Sequence, residues 1–318
     1  MPREAEPSQN ERSFLLQALQ QSLRLDDRPL LSHRPISLTF GTAPGLADVS
    51  IGRTRVAAKI SCTVTVPFPD RKFDGVFTIA TELSPAATPA FEAGAASGSS
   101  SADAEALLSR LLEKTIRRSG ALDTESLCIV AGEKCFALRA DVHVLDFDGN
   151  LVDAACLAVV AGLLHFRRPD VEVRGGEVRI FSEREREPVK LNLNHVPLCV
   201  SFSVFRNVDE NTIVKGAPAI DGDEPEIVIL DATLLEEQCR DAEIVIGMNR
   251  YGEVVQIAKY GGYPVDPLTV LECTKTALEK VKWLHGIVME KLDEEDKRQN
   301  VDGLMAELSA ENERIIPG

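Results

Sequence analysis

The sequence lacks the features that mark membrane and secreted proteins. No apolar run approaches the roughly 20 residues of a membrane-spanning helix, which excludes a membrane-spanning protein. The N-terminus is charged and lacks the apolar stretch of a secretory signal. The seven cysteines occur singly, and no C-x-x-C pair suggests a zinc site or a redox-active thiol pair. We therefore expect a reducing compartment, the nucleus or the cytoplasm.

Patterns that bind nucleotides or metals are also missing. Neither the glycine pattern of dinucleotide-binding folds nor that of the P-loop occurs, so nucleoside-triphosphate chemistry has no support. The five histidines have no paired spacing of the kind that zinc ligands show. We therefore expect no metal site and no cofactor.

Positive charge is scarce in this chain. The 35 lysines and arginines stand against 50 aspartates and glutamates, which gives a net charge of −15 at pH 7. Because phosphate neutralisation dominates nucleic-acid affinity, a protein that binds RNA over its whole surface needs a basic footprint. Any RNA contact of this chain must therefore come from a local basic patch or from a partner.

The hydrophobic pattern predicts an α+β protein of about two domains. Hydrophobic residues make up 44% of the 318 residues, enough for a sizeable core. β-branched residues with glycine and proline turns over 35–83 predict a meander of about four strands. Apolar and charged residues alternate over 134–146, which predicts a half-buried strand, and 151–166 is apolar almost all round, which predicts a buried helix. Weaker patterns predict helices over 10–24, 233–240 and from 266 past Trp283, and strands at 196–206, 212–215, 226–231, 242–249 and 253–260.

Composition divides the chain into three parts. Small residues dominate the stretch near 92–103, where we expect a flexible loop. A charged connection at 183–194 suggests a boundary between a first domain, 1–190, and a second domain, 191–285. The charged C-terminal extension, 286–318, is expected to be an extended helix or a disordered tail.

A basic face is predicted on a helix at about 103–119. Its cations are Arg110, Lys114, Arg117 and Arg118. At about 100° per residue they fall within roughly a third of the helix circumference. The apolar residues on the other side are Leu108, Leu111, Leu112 and Ile116. Such a face can follow an RNA backbone without reading its sequence, or it can be a solvated surface screened by Glu113.

Several segments resemble the RNase PH family. They extend from about residue 10 to 285, and the most specific are TESLCIVAGEK, DGNLVDAA and HFRRPDV. Within the family they are most similar to a ring subunit of the eukaryotic RNA exosome. The resemblance implies a first domain like domain 2 of ribosomal protein S5 and a smaller second domain of βαβ type. It also implies a nuclear and nucleolar location besides the cytoplasm.

The resemblance implies partners as well. Related RNase PH-like subunits would form a six-membered ring, and RNA would pass through its central channel. Cap proteins with S1 and KH domains and the hydrolytic nuclease of the exosome would dock on this ring, and no membrane is involved. The basic helix matches one that contributes cations to the channel at a subunit interface in relatives. The four cations are therefore expected to line the RNA path.

The resemblance also identifies a phosphate site and its loss. Active relatives attack the 3′-terminal phosphodiester of RNA with inorganic phosphate, which a glycine-rich turn followed by Thr or Ser and Arg holds. In this chain the matching turn is DGN (148–150), and Leu151 and Val152 stand where the hydroxyl and guanidinium should be. Two aliphatic side chains cannot bind phosphate, and Asp153 would repel it.

Asp231 and Glu237 fall at the spacing of the family's acidic pair. In relatives this pair handles the leaving oxygen, often with a divalent ion, and here it could be a degenerate remnant. Alternatively, Asp231 or Thr233 caps the following helix, and Thr233 with Glu236 fits a capping box. Nine acidic residues and one arginine lie between 221 and 246, which makes this region unfavourable for a polyanionic substrate.

Four other polar residues have structural explanations. Arg167 and Arg168 follow the buried helix, where cations are favoured at the C-terminus, although RNA contact is an alternative. His143 and His165 lie on the predicted strand and at the end of the predicted helix. We expect both histidines to be structural.

Three functions are consistent with these observations. The leading hypothesis is a non-catalytic ring subunit that builds the RNA path and supports 3′-to-5′ RNA processing and degradation by its partners. The second is an active phosphorolytic 3′-to-5′ exoribonuclease that works in a heterodimer with Asp231 and Glu237. The third is an interaction scaffold without RNA contact. Leu151 and Val152 favour a protein without catalytic activity.

Overall fold

The computed structural model describes residues 7–91, 101–174, 177–182, 185–206 and 226–300. Two main β-sheets and most of the helices packed on them share one apolar core, as the predicted α+β class requires. A second, smaller apolar cluster joins the helix near the N-terminus to Phe205 and Ile229. The predicted strand near 212–215 lies outside the described residues, as do residues 92–100 of the predicted loop.

The first sheet contains six strands, β1 (Ile36–Phe40), β2 (Leu46–Ile51), β3 (Thr54–Thr65), β4 (Val76–Leu83), β5 (Cys128–Val130) and β6 (Lys134–Asp146). Their order is β1-β2-β3-β6-β4, with β5 paired to β6. The first three strands form the predicted meander. The fourth does not, because β6 lies between β3 and β4, and β4 runs parallel to β6. Such a non-local pairing is not encoded in the local alternation of side chains.

Two short strand pairs and a second sheet follow along the chain. The short pairs are β7 (Arg167–Arg168) with β10 (Val189–Lys190), and β8 (Val171–Arg174) with β9 (Glu177–Ile180). The second sheet consists of β11 (Leu198–Phe205), β12 (Ile227–Leu230), β13 (Ala242–Met248) and β14 (Val254–Tyr260). Its order is β12-β11-β13-β14, and all its strands are antiparallel. The central strand β11 has no exposed side chain.

The helix α3 (Leu151–His165) connects the two sheets. It packs on β2 and β3 of the first sheet and on β11 of the second. Side chains all around it are buried, including Asp153, as its nearly continuous apolar sequence predicted. The start of α3 therefore lies where the two sheets meet.

Three further helices lie outside this centre. They are α1 (Gln9–Gln20), α2 (Ser101–Leu112), which continues into a π-helical turn at Glu113–Arg117, and α4 (Leu234–Cys239). Ser8 and Glu11 form a capping box at the start of α1. The helix predicted at 103–119 thus begins at Ser101, within the region predicted to be a flexible loop.

The last helix, α5 (Pro267–Asn300), is 34 residues long. It packs on β1, β11 and β13 through a buried stripe at helical spacing, Cys273, Ala277, Val281, Leu284, Val288 and Leu292. Near its end Asp296 pairs with Arg167 at 3.2 Å and with Lys190 at 3.3 Å. The boundary predicted at residue 285 thus lies inside a continuous helix, and residues 286–300 are part of the packed fold. Within the described residues, no helix is both long and apolar enough to cross a bilayer.

Candidate active site

The turn that precedes α3 contains two left-handed residues, Gly149 (φ 80°) and Asn150 (φ 55°). A Cβ on Gly149 would lie 2.6 Å from the carbonyl oxygen of Ala232, so glycine is required here. This close approach holds the turn against the chain between β12 and α4. It brings the predicted phosphate-site turn next to the predicted acidic pair, Asp231 and Glu237.

Leu151 and Val152 form the first residues of α3. Both side chains are partly buried and pack against the main apolar core. Neither can donate a hydrogen bond or carry a charge. A phosphate at this turn would therefore find hydrocarbon where a hydroxyl and a guanidinium are needed.

Asp231 is completely buried, and donors surround both of its carboxylate oxygens. Oδ1 accepts from Arg34 Nη2 at 2.9 Å and from Asn150 Nδ2 at 2.6 Å. Oδ2 accepts from the backbone N–H of Arg34 at 2.7 Å, from its Nε at 3.1 Å and from Arg28 Nη1 at 3.0 Å. A carboxylate has about four acceptor sites, so these five contacts use its whole capacity.

The charge state of Asp231 follows from these contacts. Burial alone would raise the pKa of Asp231, but the hydrogen bonds and charge of Arg34 outweigh burial and hold it below its ordinary value. The carboxylate is therefore ionised, and its negative charge is balanced inside the protein. It has no lone pair left for a metal ion or a substrate.

The arginine partners of Asp231 come from a segment that we call the arginine arm (residues 24–34). Arg34, only 6% exposed, also donates to the carbonyl oxygens of Asp148 at 2.7 Å and Gly149 at 3.1 Å. Arg24 is likewise buried and holds Glu236 through Nε at 3.0 Å and Nη2 at 2.5 Å. The arm thus joins the turn before α3 to the chain around β12 and α4.

The arginine arm was not predicted from the sequence. Residues 10–28 belong to the segments that resemble the RNase PH family, but RLDDRP was interpreted as the end of a helix, because Pro29 interrupts the helical pattern, and its arginines were assigned no role. The available signal was three arginines within eleven residues of an otherwise acidic chain. Their targets lie about 200 residues away along the chain, so no local pattern could identify them.

Glu237 lies on the other side of the turn. Its Oε1 accepts from the backbone N–H of Asn150 at 2.9 Å and lies 3.4 Å from Arg240 Nη1. Burial raises the pKa of Glu237 to about 7, against the lowering effects of Arg240 and the Asn150 bond. Backbone donors at a helix start are the groups that bind anions, and Glu237 already occupies the one at Asn150.

A buried network extends from Asn150 to Asp153. Ser201 Oγ lies 2.6 Å from Asn150 Oδ1, which can only accept, so the serine donates its single hydrogen there. Asp153 Oδ2 accepts from the backbone N–H of Ser201 at 3.0 Å and from Asn150 Nδ2 at 3.1 Å, and Ser201 Oγ lies 3.1 Å from it. Burial raises the pKa of Asp153 to about 7, against the lowering effects of these donors. At neutral pH Asp153 therefore carries only part of the negative charge that the sequence predicted.

The N-cap of α4 is Thr233, not Asp231. Thr233 precedes α4, and its backbone N–H donates to Glu236 Oε2 at 2.8 Å, so the predicted capping box is confirmed. Asp231 instead serves the arginine arm. Among the described residues, no group of three or more His, Cys, Asp or Glu side chains is arranged to hold a metal ion.

The predicted basic face lies on the helix formed by α2 and the π-helical turn. This helix packs against β4 and β14. Its four cations, Arg110, Lys114, Arg117 and Arg118, are exposed, and the four predicted apolar residues are buried. Glu113 pairs with Arg117 at 2.7 Å. The backbone N–H of Arg118 donates to Glu113 five residues earlier, so the wider turn alters the angular spacing that a regular α-helix would give.

The structure places the four other polar residues differently. His143 is half exposed, and its Nδ1 lies 3.0 Å from Glu82 Oε2. Arg167 Nη1 donates to the carbonyl oxygens of Leu164 at 2.9 Å and of its two successors at the end of α3. The guanidinium of Arg168 lies over the ring of Phe136. His165 is buried and accepts from the backbone N–H of Gly45 at 3.3 Å.

Comparisons with known proteins agree with this fold. The models of the 3′ exoribonuclease family match residues 32–169 (domain 1) and 195–280 (domain 2). The chain is 43% identical over 316 residues to exosome complex component RRP45 of Saccharomyces cerevisiae, covering 99% of this chain and 100% of that protein. It is 45% identical over 314 residues to exosome complex component rrp45 of Schizosaccharomyces pombe, with coverages of 99% and 100%.

A solved structure is also similar. The structure described as "archaeoglobus fulgidus exosome with RNA bound to the active site" matches with a TM-score of 0.69 at 26% identity, covering 86% of this chain and 96% of that one. The predicted RNase PH-type fold is therefore confirmed.

Proposed function

Because the chain belongs to the 3′ exoribonuclease family, within the group of exosome complex component RRP45, we propose that it is a ring subunit of an RNA exosome that shapes the RNA path and does not cleave RNA. The two yeast relatives are named as exosome complex components, and this chain matches each of them over its whole length. Its partners would be related RNase PH-like subunits of the same ring.

The bonding of Asp231 carries the proposal that this subunit is not catalytic. The carboxylate is in the position of the family's acidic pair, but Arg28, Arg34 and Asn150 occupy its acceptor sites. An acid or a metal ligand in phosphorolysis needs an accessible lone pair or proton. The aliphatic pair Leu151 and Val152 removes the phosphate side of the same site.

An active exoribonuclease is the second candidate, and one observation favours it. Asn150 contacts both carboxylates of the acidic pair, through its side chain to Asp231 and its backbone to Glu237, so the pair is still assembled at the turn. This candidate requires Asp231 to exchange its buried arginine partners for a substrate. Breaking a buried ion pair costs about 3–5 kcal/mol, which weighs against it.

The basic face supports the RNA-path part of the proposal. Its four cations are solvent-exposed on a chain whose net charge is −15, so they form a local region that can attract a phosphate backbone. The predominantly acidic remainder of the surface suits protein partners better than RNA. We propose that S1/KH cap proteins and the hydrolytic nuclease of the exosome dock on that remainder.

The RNA path is tested in the reconstituted ring by nuclease protection of a long single-stranded RNA. The triple variant Arg110→Glu, Lys114→Glu, Arg117→Glu should shorten the protected length and weaken RNA binding at least tenfold at 0.1 M salt. A matched control reverses three exposed cations elsewhere, Arg53, Lys59 and Lys282. An unchanged footprint with the first variant would instead support a scaffold without RNA contact.

A further inference from the structure

A groove separate from the candidate active site lies beside the last helix. This α5 groove has a volume of about 470 Å³ and is formed by the extended segment 190–196, the turn between β13 and β14, and residues 285–296 of α5. Its apolar lining consists of Leu164, Leu191, Leu193, Val196, Met289 and Leu292. Met289 is 40% exposed, so part of this apolar surface faces solvent.

The extended segment has a free strand edge. Leu193 forms an isolated antiparallel bridge with Leu122, flanked by the bonds from Asp123 N to Asn192 O and from Asn194 N to Ala121 O. In this pattern the N–H and C=O of the bridge residue point to the opposite edge. In the described part of the chain neither group of Leu193 has a hydrogen-bond partner. A partner strand could therefore pair with this edge.

The charge of the groove suits an acidic partner. Arg167 and Lys190 share a single carboxylate, Asp296. The guanidinium of Arg250 bonds to Tyr251 Oη at 2.9 Å and lies over its ring, and it has no carboxylate partner among the described residues. Since three cations face two acids here, Asp293 and Asp296, the groove is locally positive on a strongly acidic chain.

We propose that the α5 groove binds an extended peptide segment of a partner protein, which adds a strand at Leu193 and places an acidic side chain on Arg250. In an added strand, side chains two residues apart lie on the same face, about 6–7 Å from each other. One apolar side chain of the peptide would fill the space beside Met289, and the acidic side chain two residues away would contact Arg250. Main-chain hydrogen bonds supply affinity in this mode of recognition, and the side-chain contacts supply specificity.

The test uses a phage-displayed library of random twelve-residue peptides selected on the full-length chain, followed by fluorescence anisotropy of the enriched peptides. Enriched peptides should pair an apolar with an acidic residue two positions away. Met289→Glu and Arg250→Glu should each weaken binding at least tenfold, whereas Met289→Leu should not. Leu193→Pro removes the free N–H and should also weaken binding. If the proline variant misfolds, Arg250→Glu still tests the proposal.

A charge exchange distinguishes this proposal from nonspecific binding of peptides. A peptide with lysine in place of its acidic residue should bind Arg250→Glu and not the parent chain. Arg174→Glu, an exposed arginine on the short β8–β9 pair, should leave binding unchanged. Enriched peptides without the apolar-acidic pattern, or affinity unaffected at Met289 and Arg250, would overturn the proposal. Binding that appears only after removal of residues 301–318 would assign the groove to the chain's own C-terminus and would also overturn it.

Discussion

At the scale of single residues, Asp231 is the group on which the buried polar contacts converge. It joins the arginine arm to Asn150 before α3, and Asn150 in turn contacts Ser201 on β11. These contacts link both sheets through one carboxylate. The residue at a position of the acidic pair thus has a structural function that requires its charge and its full burial.

We predict that Asp231→Asn destabilises the chain strongly. The substitution removes the buried counter-charge that Arg34 and Arg28 share and leaves them only the more exposed Asp148 and Asp26. Removal of one partner of a buried ion pair costs about 3–5 kcal/mol. Urea unfolding followed by the fluorescence of Trp283, the single tryptophan, measures the effect. Asp48→Asn is the matched control, because Asp48 pairs with an exposed arginine, and it should change stability little. Equal effects of the two variants would contradict the structural function of Asp231.

We further predict that Asp153→Asn stabilises the chain above neutral pH. Because burial raises the pKa of Asp153 from 3.8 to about 7, the unfolded chain loses its proton first, and stability falls as pH rises through this range. Asparagine abolishes this loss because it does not ionise, and its Oδ1 can accept from the backbone N–H of Ser201 in place of Asp153 Oδ2. Each pKa unit corresponds to about 1.4 kcal/mol, so the gain should grow to a few kcal/mol by pH 8.

Paired urea titrations of the parent chain and Asp153→Asn at pH 4.5 and pH 8 measure this effect. Glu237→Gln should show the same trend, since burial raises the pKa of Glu237 to a similar value. A difference in stability that stays constant with pH would mean that Asp153 is ionised in the folded protein.

Single residues differ in how far the sequence alone could identify them. Leu151, Val152 and Thr233 could be placed from a local motif, because a turn or a cap is defined by neighbours in sequence. The raised pKa of Asp153 could not, since it depends on burial of this side chain between two sheets. Arg34 was missed for the same reason, as its targets are distant in the chain.

At the scale of elements, α5 shows how far a helix can extend beyond a predicted domain boundary. The helix was predicted from Asp266, and its length was left open because the charged sequence after residue 285 fits either an exposed helix or a tail. The structure buries Val288 and Leu292, which continue the apolar stripe, and pairs Asp296 with two cations. Packing against the first domain thus decides the conformation that local composition leaves undetermined.

We predict that the chain truncated after residue 285 is less stable than the chain truncated after residue 300. The first truncation removes Val288 and Leu292, each worth roughly 1.5–3 kcal/mol when buried, and exposes the lining of the α5 groove. Thermal unfolding followed by far-ultraviolet circular dichroism compares the two forms. If both truncations left the midpoint unchanged, residues 286–300 would be dispensable for folding.

Strand order is the feature of the elements that the sequence predicted least well. The alternation in β6 correctly predicted its buried face, because alternation is a local property. The parallel pairing of β4 with β6 depends on a crossover through α2 and on contacts between distant segments. The wide turn at Glu113–Arg117 was also not predicted, since the i, i+4 spacing fits an ordinary α-helix.

At the scale of the whole molecule, the net negative charge and the aliphatic pair Leu151 and Val152 both favour the proposal of a subunit that does not cleave RNA. A chain with a net charge of −15 repels free RNA, and its exposed cations on α2 offer a local path. The buried network around Asp231 uses one of the two acids of the site to hold the arginine arm, the turn before α3 and the end of β12 together. This structural use of Asp231 supports the proposal that the chain keeps the RNase PH-type fold without cleaving RNA.

The central claim is that this subunit does not perform phosphorolysis, because Asp231 belongs to the fold. The most direct measurement is the release of nucleoside diphosphates from single-stranded RNA with inorganic phosphate, by the chain alone and in a heterodimer with a related subunit, with the parent sequence and with Leu151→Thr, Val152→Arg. We predict no release that depends on this chain, even for the double variant, since Arg28, Arg34 and Asn150 still occupy the carboxylate of Asp231. Phosphate-dependent release that disappears with both Asp231→Asn and Glu237→Gln would contradict the claim.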